Sequence, residues 1–192
     1  MKKIAVIDNY DSFVYNLVRY VREVEPLEIK VMRNDEIDYK YLHEAHGILL
    51  SPGPGIPSEA GNLIEVIKTF HAEKNILGIC LGHQAIGEFF NGKLEKSPQV
   101  YHGKATVAFK TNESILFKNV AEQFDIGRYH SWQIHRKLPN ELTPTVIDDG
   151  KHVMAFQHNS LPIYGIQFHP ESVLTPAGRT IIKNWITTCN KY

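Results

Sequence analysis

Apolar and polar positions alternate between two periods along the first half of the chain. Lys3–Asp8 (KIAVID) is a short apolar run rich in β-branched residues and reads as a buried strand. Asp11–Val24 places Phe13, Leu17, Val18, Tyr20 and Val21 on one helical face, with Asp11 or Ser12 as the N-cap. Leu27–Met32 reads as a second strand, Tyr39–Ala45 as a short helix, and Gly47–Leu50 as a third strand closed by the Pro/Gly run SPGPGIP. Ser58–Glu73 is predicted to be a helix with Leu63, Ile64, Val66, Ile67 and Phe70 facing inward. Asn75–Cys80 is a fourth strand and Gly82–Asn91 a helix. Successive strand–helix units predict a parallel sheet covered by helices on both faces.

Beyond Gly92 the texture changes. Strand-like pieces at Ala105–Lys110, Phe124–Tyr129, Thr143–Asp148, Val153–Gln157 and Ile163–Phe168 follow one another with turns between them. They predict antiparallel additions to the same sheet, with Thr175–Cys189 as the closing helix. No linker, internal repeat or low-complexity stretch intervenes, so one α/β domain over residues 1–192 is expected, an open, mostly parallel twisted sheet.

Composition narrows the partners. Lys+Arg and Asp+Glu are both 21, so no net charge draws the chain to nucleic acid or an anionic membrane. The opening MKKIAVIDNY imitates a signal peptide, but Asp8 interrupts its apolar run too early, and no segment approaches a membrane span. Cys80 and Cys189, the two cysteines, build no disulfide framework. A cytoplasmic protein with reduced thiols is expected.

Cys80 carries the first chemical signal. In Gly78-Ile79-Cys80-Leu81-Gly82 a cysteine ends an apolar strand, has glycines two residues away on each side, and leads at once into a helix. The glycines permit a tight strand-to-helix turn that lifts the side chain clear of the sheet, the logic of a nucleophile elbow with sulfur in place of oxygen. The helix beyond it directs free amides and its positive end at the sulfur, favouring the reactive thiolate. A cysteine at a strand end is ordinarily small apolar filler, so a second signal is needed.

Gln167-Phe168-His169-Pro170-Glu171-Ser172 supplies it. Pro170 disfavours a helical His169, so the segment is predicted to stay extended. Residues i and i+2 then share a side, and Glu171 can hold one imidazole nitrogen of His169 while the other faces the sulfur. Ser51-Pro52-Gly53-Pro54-Gly55 lies at the C-terminal end of the third strand, the edge where open parallel sheets bind ligands. By itself that run is a rigid turn; beside Cys80 it can present a bare N–H to a developing oxyanion.

Together these segments closely resemble the class I (triad-type) glutamine amidotransferases, a family of flavodoxin-like fold. The matching stretches are DNYDSF at Asp8–Phe13, SPGPG at Ser51–Gly55 and GICLGHQAIG at Gly78–Gly87. HGK at His102–Lys104, GRYHSW at Gly127–Trp132 and QFHPESVLTP at Gln167–Pro176 complete the set. The likeness spans nearly the whole chain, and the opening and RYHS segment look most like the small subunits of anthranilate synthase and aminodeoxychorismate synthase. The resemblance implies a Cys80–His169–Glu171 triad in which Cys80 attacks the glutamine side-chain amide and His169 serves as base, then acid. It implies an oxyanion hole from the amides of Gly53 and Leu81, and glutamine contacts from Gly53, Pro54, Gly55, Gln84, Ser131 and Trp132. Ammonia would pass to a chorismate-using large subunit in a hetero-oligomer, in the tryptophan pathway, the folate pathway or both. Relatives often carry Leu where Trp132 stands, a change that a contact through backbone would tolerate. Glutaminase turnover is expected to be low in the isolated chain.

No cofactor is implied. The spacings His43-x-x-His46 and His130-x4-His135 lack the partners that complete a metal site, so no metal is expected. Cys189 reads as filler and the DNYDSF aspartates as helix caps. Two rivals remain: a stand-alone cysteine hydrolase on the same fold, such as a γ-glutamyl peptidase, and a flavodoxin-like binding module in which Cys80 is only core. The loop after the first strand carries no phosphate-binding glycine fingerprint, which such a module would need. A glutamine-derived electrophile is expected to label Cys80 alone, with protection by glutamine, as read by peptide mass mapping; labelling elsewhere, or no protection, removes the nucleophile assignment.

Overall fold

The computed structural model describes residues 1–189. β1 (Lys2–Asp8), α1 (Val14–Arg22), β2 (Leu27–Arg33), α2 (Tyr39–Glu44), β3 (Gly47–Leu50), α3 (Leu63–Phe70), β4 (Asn75–Ile79) and α4 (Leu81–Phe89) form the first half. β5 (Leu94–Lys96), β6 (Lys104–Lys110), β7 (Gln123–Arg128), β8 (Trp132–Ile134), β9 (Leu142–Asp148), β10 (Val153–His158), β11 (Ile163–Ile166) and α5 (Gly178–Thr188) follow. Nine strands share one sheet in the order β2-β1-β3-β4-β11-β10-β9-β6-β7, and β5 pairs with β8 in a separate ribbon.

Alternation along each buried strand sorts side chains between two cores. Ile4 and Val6 of β1, Leu49 of β3, and Leu77 and Ile79 of β4 pack with α1 and α5. Ala5 and Ile7, Ile48 and Leu50, and Ile76 pack on the other face with α2, α3 and α4. A period of two in the strands against 3.6 in the helices is what lets one sheet bury both faces. The centre of the α5 face is Trp185, fully buried against the β3 end, where a Cβ on Gly47 would come within 3.1 Å of its ring and 2.6 Å of Cys189 Sγ. Burial pushes the Cys189 thiol up to about 12, so it is an inert core group.

Several expectations need correction. β11 is not an antiparallel addition: it runs parallel to β4, with Ile163 opposite Ile76, and antiparallel to β10. It joins the parallel half to the antiparallel set β10, β9, β6 and β7, because a hairpin from β10 reverses the chain beside β4. The helix predicted over Ser58–Glu73 is cut to a short 3-10 turn at Pro57–Glu59 and α3. Gly61 takes φ +54° there, packed under the Asn34 carbonyl, which accepts from Asn62 N at 2.8 Å. Neither Asp11 nor Ser12 caps α1; the N-cap is Phe13 with no side-chain bond, while Asp11 N donates to Asp8 Oδ1 at 3.0 Å. β5 and β8 have three residues each, too few to show an alternation.

Trp185→Ala should lower unfolding free energy by about 3–5 kcal/mol in urea denaturation. Trp185→Phe should cost clearly less, because Trp185 Nε1 is buried without a partner and its loss removes an orphaned donor. Equal losses for both substitutions would contradict this packing.

Candidate active site

At the end of β4 the chain turns into α4 with Cys80 as the N-cap residue, at φ +50° and ψ −98°. A side chain rarely adopts this region, and holding one there costs on the order of 1–3 kcal/mol. The neighbouring glycines do not take positive φ; their function is close approach. A Cβ on Gly78 would overlap the Gly82 backbone, and one on Gly82 would lie 2.5 Å from the Leu50 carbonyl oxygen. The elbow therefore depends on bare backbone at 78 and 82 and on a strained cysteine between them. Cys80 N donates to Ile166 O at 2.8 Å, which ties the elbow to the end of β11.

β11 stops at Ile166, and His169 lies in a turn, not in the extended segment expected from sequence. Ser172 N donates to His169 O at 3.2 Å, closing a β-turn with Pro170 at its second position. That turn brings the pair together: His169 Nδ1 and Glu171 Oε1 are 2.6 Å apart, and both residues are 7% exposed. His169 is anchored by its N to Gly127 O at 2.9 Å and by Thr175 Oγ1 to its O at 2.7 Å. Gly178 is glycine because the turn rests on it; a Cβ would overlap Pro170 O. Burial opposes charge on His169, but Cys80 and then Glu171 outweigh it and raise the imidazole well above its ordinary value. Nε2 is buried and makes no hydrogen bond of normal geometry, while Cys80 still favours the charged ring.

Gly53 is wedged beside the elbow. A Cβ there would overlap Asn9 O and come within 3.0 Å of Leu81 Cδ2. Asn9 holds this loop by donating from N to Ser51 Oγ at 2.9 Å and from Nδ2 to Ser51 O at 2.8 Å. Asn34 Nδ2 donates in turn to Asn9 Oδ1 at 3.1 Å. The Leu81 N–H, at the start of α4, is among the donors a helix leaves without an internal partner. Gly53 and Leu81, both expected at an oxyanion hole, are thus adjacent.

Gln84 sits 2% exposed on the first turn of α4, with Nε2 donating to Trp132 O at 2.8 Å and to Gln167 Oε1 at 3.2 Å. Trp132 O also lies 2.8 Å from His130 Nδ1. Arg128 Nε donates to His130 Nε2 at 3.1 Å, so His130 carries its proton on Nδ1 and gives it to Trp132 O. Arg128 is itself buried against Asp148, Nη1 to Oδ2 at 2.7 Å. Ser131 O accepts from Ser97 N at 2.9 Å. Both carbonyls of the expected Ser131–Trp132 clamp are therefore engaged within the protein.

Four groupings emerge: Cys80 with Gln167, His169 with Glu171, Gly53 with Leu81, and Gln84 with Trp132. Pro54 and Gly55 follow in the same loop, with Gly55 at φ +75°. A cavity of about 360 Å³ opens beside the His169–Glu171 pair, lined by Asp11, Phe13, Tyr129, His169, Glu171 and Val173 among others. Cys80, 5% exposed, does not line it. Sequence reasoning missed Gln167, although its spacing of two from His169 was a usable signal. It also missed Asn9 and Tyr129, whose ring lies 4.9 Å from the His169 ring. Among the described residues no three or more His, Cys, Asp or Glu gather as metal ligands would, and no helix is long and apolar enough to cross a membrane.

A cysteine at an elbow, beside a histidine braced by a carboxylate, is equipped for covalent acyl transfer. The chain belongs to the class I glutamine amidotransferase family, which matches residues 5–189. It is 44% identical to anthranilate synthase component 2 of Mycobacterium tuberculosis, covering 97% of this chain and 82% of that one. It is 40% identical to the aminodeoxychorismate/anthranilate synthase component 2 of Bacillus subtilis, over 98% and 97% of the two chains. Identity to the bifunctional protein TrpGD of Thermotoga maritima is 44%, over 97% of this chain but 32% of that longer protein. Among solved structures, a GMP synthase component from Thermoplasma acidophilum superposes with TM-score 0.88 at 30% identity, covering 98% and 94% of the two chains.

Two other histidines set a pH dependence. Burial lowers His83 to about 3, and burial with the nearby Arg128 charge lowers His130 to about 3. The unfolded chain binds protons there that the folded chain refuses, so stability is full above the unfolded value of 6.5 and falls as pH drops from 6.5 toward 3. Unfolding free energies from urea titrations should decline on acidification, by about 1.4 kcal/mol per pH unit for each such histidine, and His83→Leu should flatten that slope. An unchanged slope would mean His83 is already protonated in the fold.

Proposed function

We propose that this chain is the glutamine-hydrolysing subunit of anthranilate synthase, one cytoplasmic amidotransferase domain that releases ammonia for a chorismate-using large subunit. In this reading Cys80 Sγ attacks the side-chain amide carbon of glutamine, and His169 protonates the departing ammonia. A γ-glutamyl thioester remains, which water hydrolyses with His169 as base. Glu171 holds Nδ1 and favours the charged imidazole. The N–H groups of Gly53 and Leu81 receive the developing oxyanion. Gly53, Pro54 and Gly55, with Ser131 and Trp132, hold the α-amino and α-carboxyl groups, and Gln84 shapes that pocket.

The observation that carries the proposal is the buried 2.6 Å His169–Glu171 contact on an imidazole whose charge Cys80 also favours. The names of the relatives favour anthranilate as the product, while the Bacillus subtilis relative's name supports one chain shared with aminodeoxychorismate synthesis. Pairing the chain with each chorismate-using large subunit, then identifying the aminated product, decides between them. In the productive pair, Cys80→Ser should reduce glutamine-dependent synthesis at least about a thousandfold and leave synthesis from ammonium salts intact. Parallel loss of both activities would argue against the assignment.

A further inference from the structure

Gln167 is fully buried between the nucleophile and α4, and no step above uses it. Its Nε2 is 3.6 Å from Cys80 Sγ and its Oε1 accepts from Gln84 Nε2 at 3.2 Å. The orientation of this amide is dictated from its far end. Trp132 O is a carbonyl and can only accept, so the Gln84 group 2.8 Å away must be the NH₂. The second N–H of that NH₂ needs an acceptor, which turns Gln167 Oε1 toward it and Gln167 Nε2–H toward the sulfur. His130, tautomerically set by Arg128, gives the same carbonyl a second donor at 2.8 Å and holds it in place.

We infer that Gln167 is a catalytic residue that donates a hydrogen bond to the Cys80 thiolate, with Gln84 as the positioning residue that keeps its amide from flipping. The inference rests on Cys80 being the nucleophile. When the thioester forms, the S–C bond is made, the C–N bond breaks, and the sulfur loses its charge. When water attacks the thioester carbon, the S–C bond breaks and its electron pair returns to sulfur. The Gln167 N–H meets that returning charge without rearrangement, and a donor to a charged group is worth about tenfold or more in rate. Between turnovers the same bond favours the thiolate–imidazolium form of the Cys80–His169 pair.

The test uses the assembled synthase with Gln167→Met, which retains bulk and an unbranched chain, and Gln167→Asn, which retains the amide but shortens its reach. Both should lower glutamine-dependent kcat about tenfold, shift the acid limb of the pH–rate profile upward by about one unit, and change KM for glutamine less than threefold. Ammonia-dependent synthesis should be unaltered. An unshifted acid limb in whichever variant folds, or a loss confined to KM or thermal stability, overturns the inference and leaves Gln167 a packing residue. If Cys80→Ser retains glutamine-dependent synthesis, the nucleophile assignment itself fails, a result that no Gln167 variant can mimic.

Discussion

Between β4 and α4 the backbone passes through a gap that admits no side chain at positions 78 and 82, two residues to either side of the cysteine. Gly82 lies against the Leu50 carbonyl and Gly78 lies against Gly82, so strand, helix and neighbouring strand meet nearly backbone to backbone. Everything at the site is referred to that junction. Gly53 is stacked beside Leu81, the first residue of α4. Gln84, one turn on, sets the Trp132 carbonyl and the Gln167 amide. Were the helix lifted by the width of a methyl group, the sulfur, the loop N–H and the clamp would lose register together.

The site also sorts its histidines by environment. His169, with a carboxylate at one nitrogen and a sulfur near the other, is held toward the charged form despite burial. His83 and His130, as deeply placed but lacking anionic partners, are held neutral. Burial is common to all three; the difference lies in what faces each ring. His130 is useful because it is neutral, since one nitrogen must accept from Arg128 while the other donates to Trp132 O.

Much of this was legible in the residues. The parallel half followed from alternating periods, the strand-to-helix turn at Cys80 from its glycine frame, and the His169–Glu171 contact from a short motif. What failed has local causes. The helix over Ser58–Glu73 was overruled by Asn34, whose carbonyl belongs to a residue 28 positions before Asn62 yet lies 2.8 Å from its N–H nitrogen. The His169–Glu171 pairing was right while its extended geometry was wrong, because Pro170 excludes helix without choosing between strand and turn. The parallel alignment of β11 depends on a partner 87 residues distant, Ile76 opposite Ile163, which no local pattern encodes. Gln167 went unread because an amide between two chemical motifs looks like spacer until its partners are known.

The φ of +50° at Cys80 has a mutational corollary. Glycine is the residue that backbone prefers, so a change of Cys80 to glycine removes the sulfur and at the same time relaxes the main chain. The relief of backbone strain offsets part of what the lost burial of the cysteine side chain costs. A fold that carries glycine at this position therefore keeps its backbone junction while losing the sulfur.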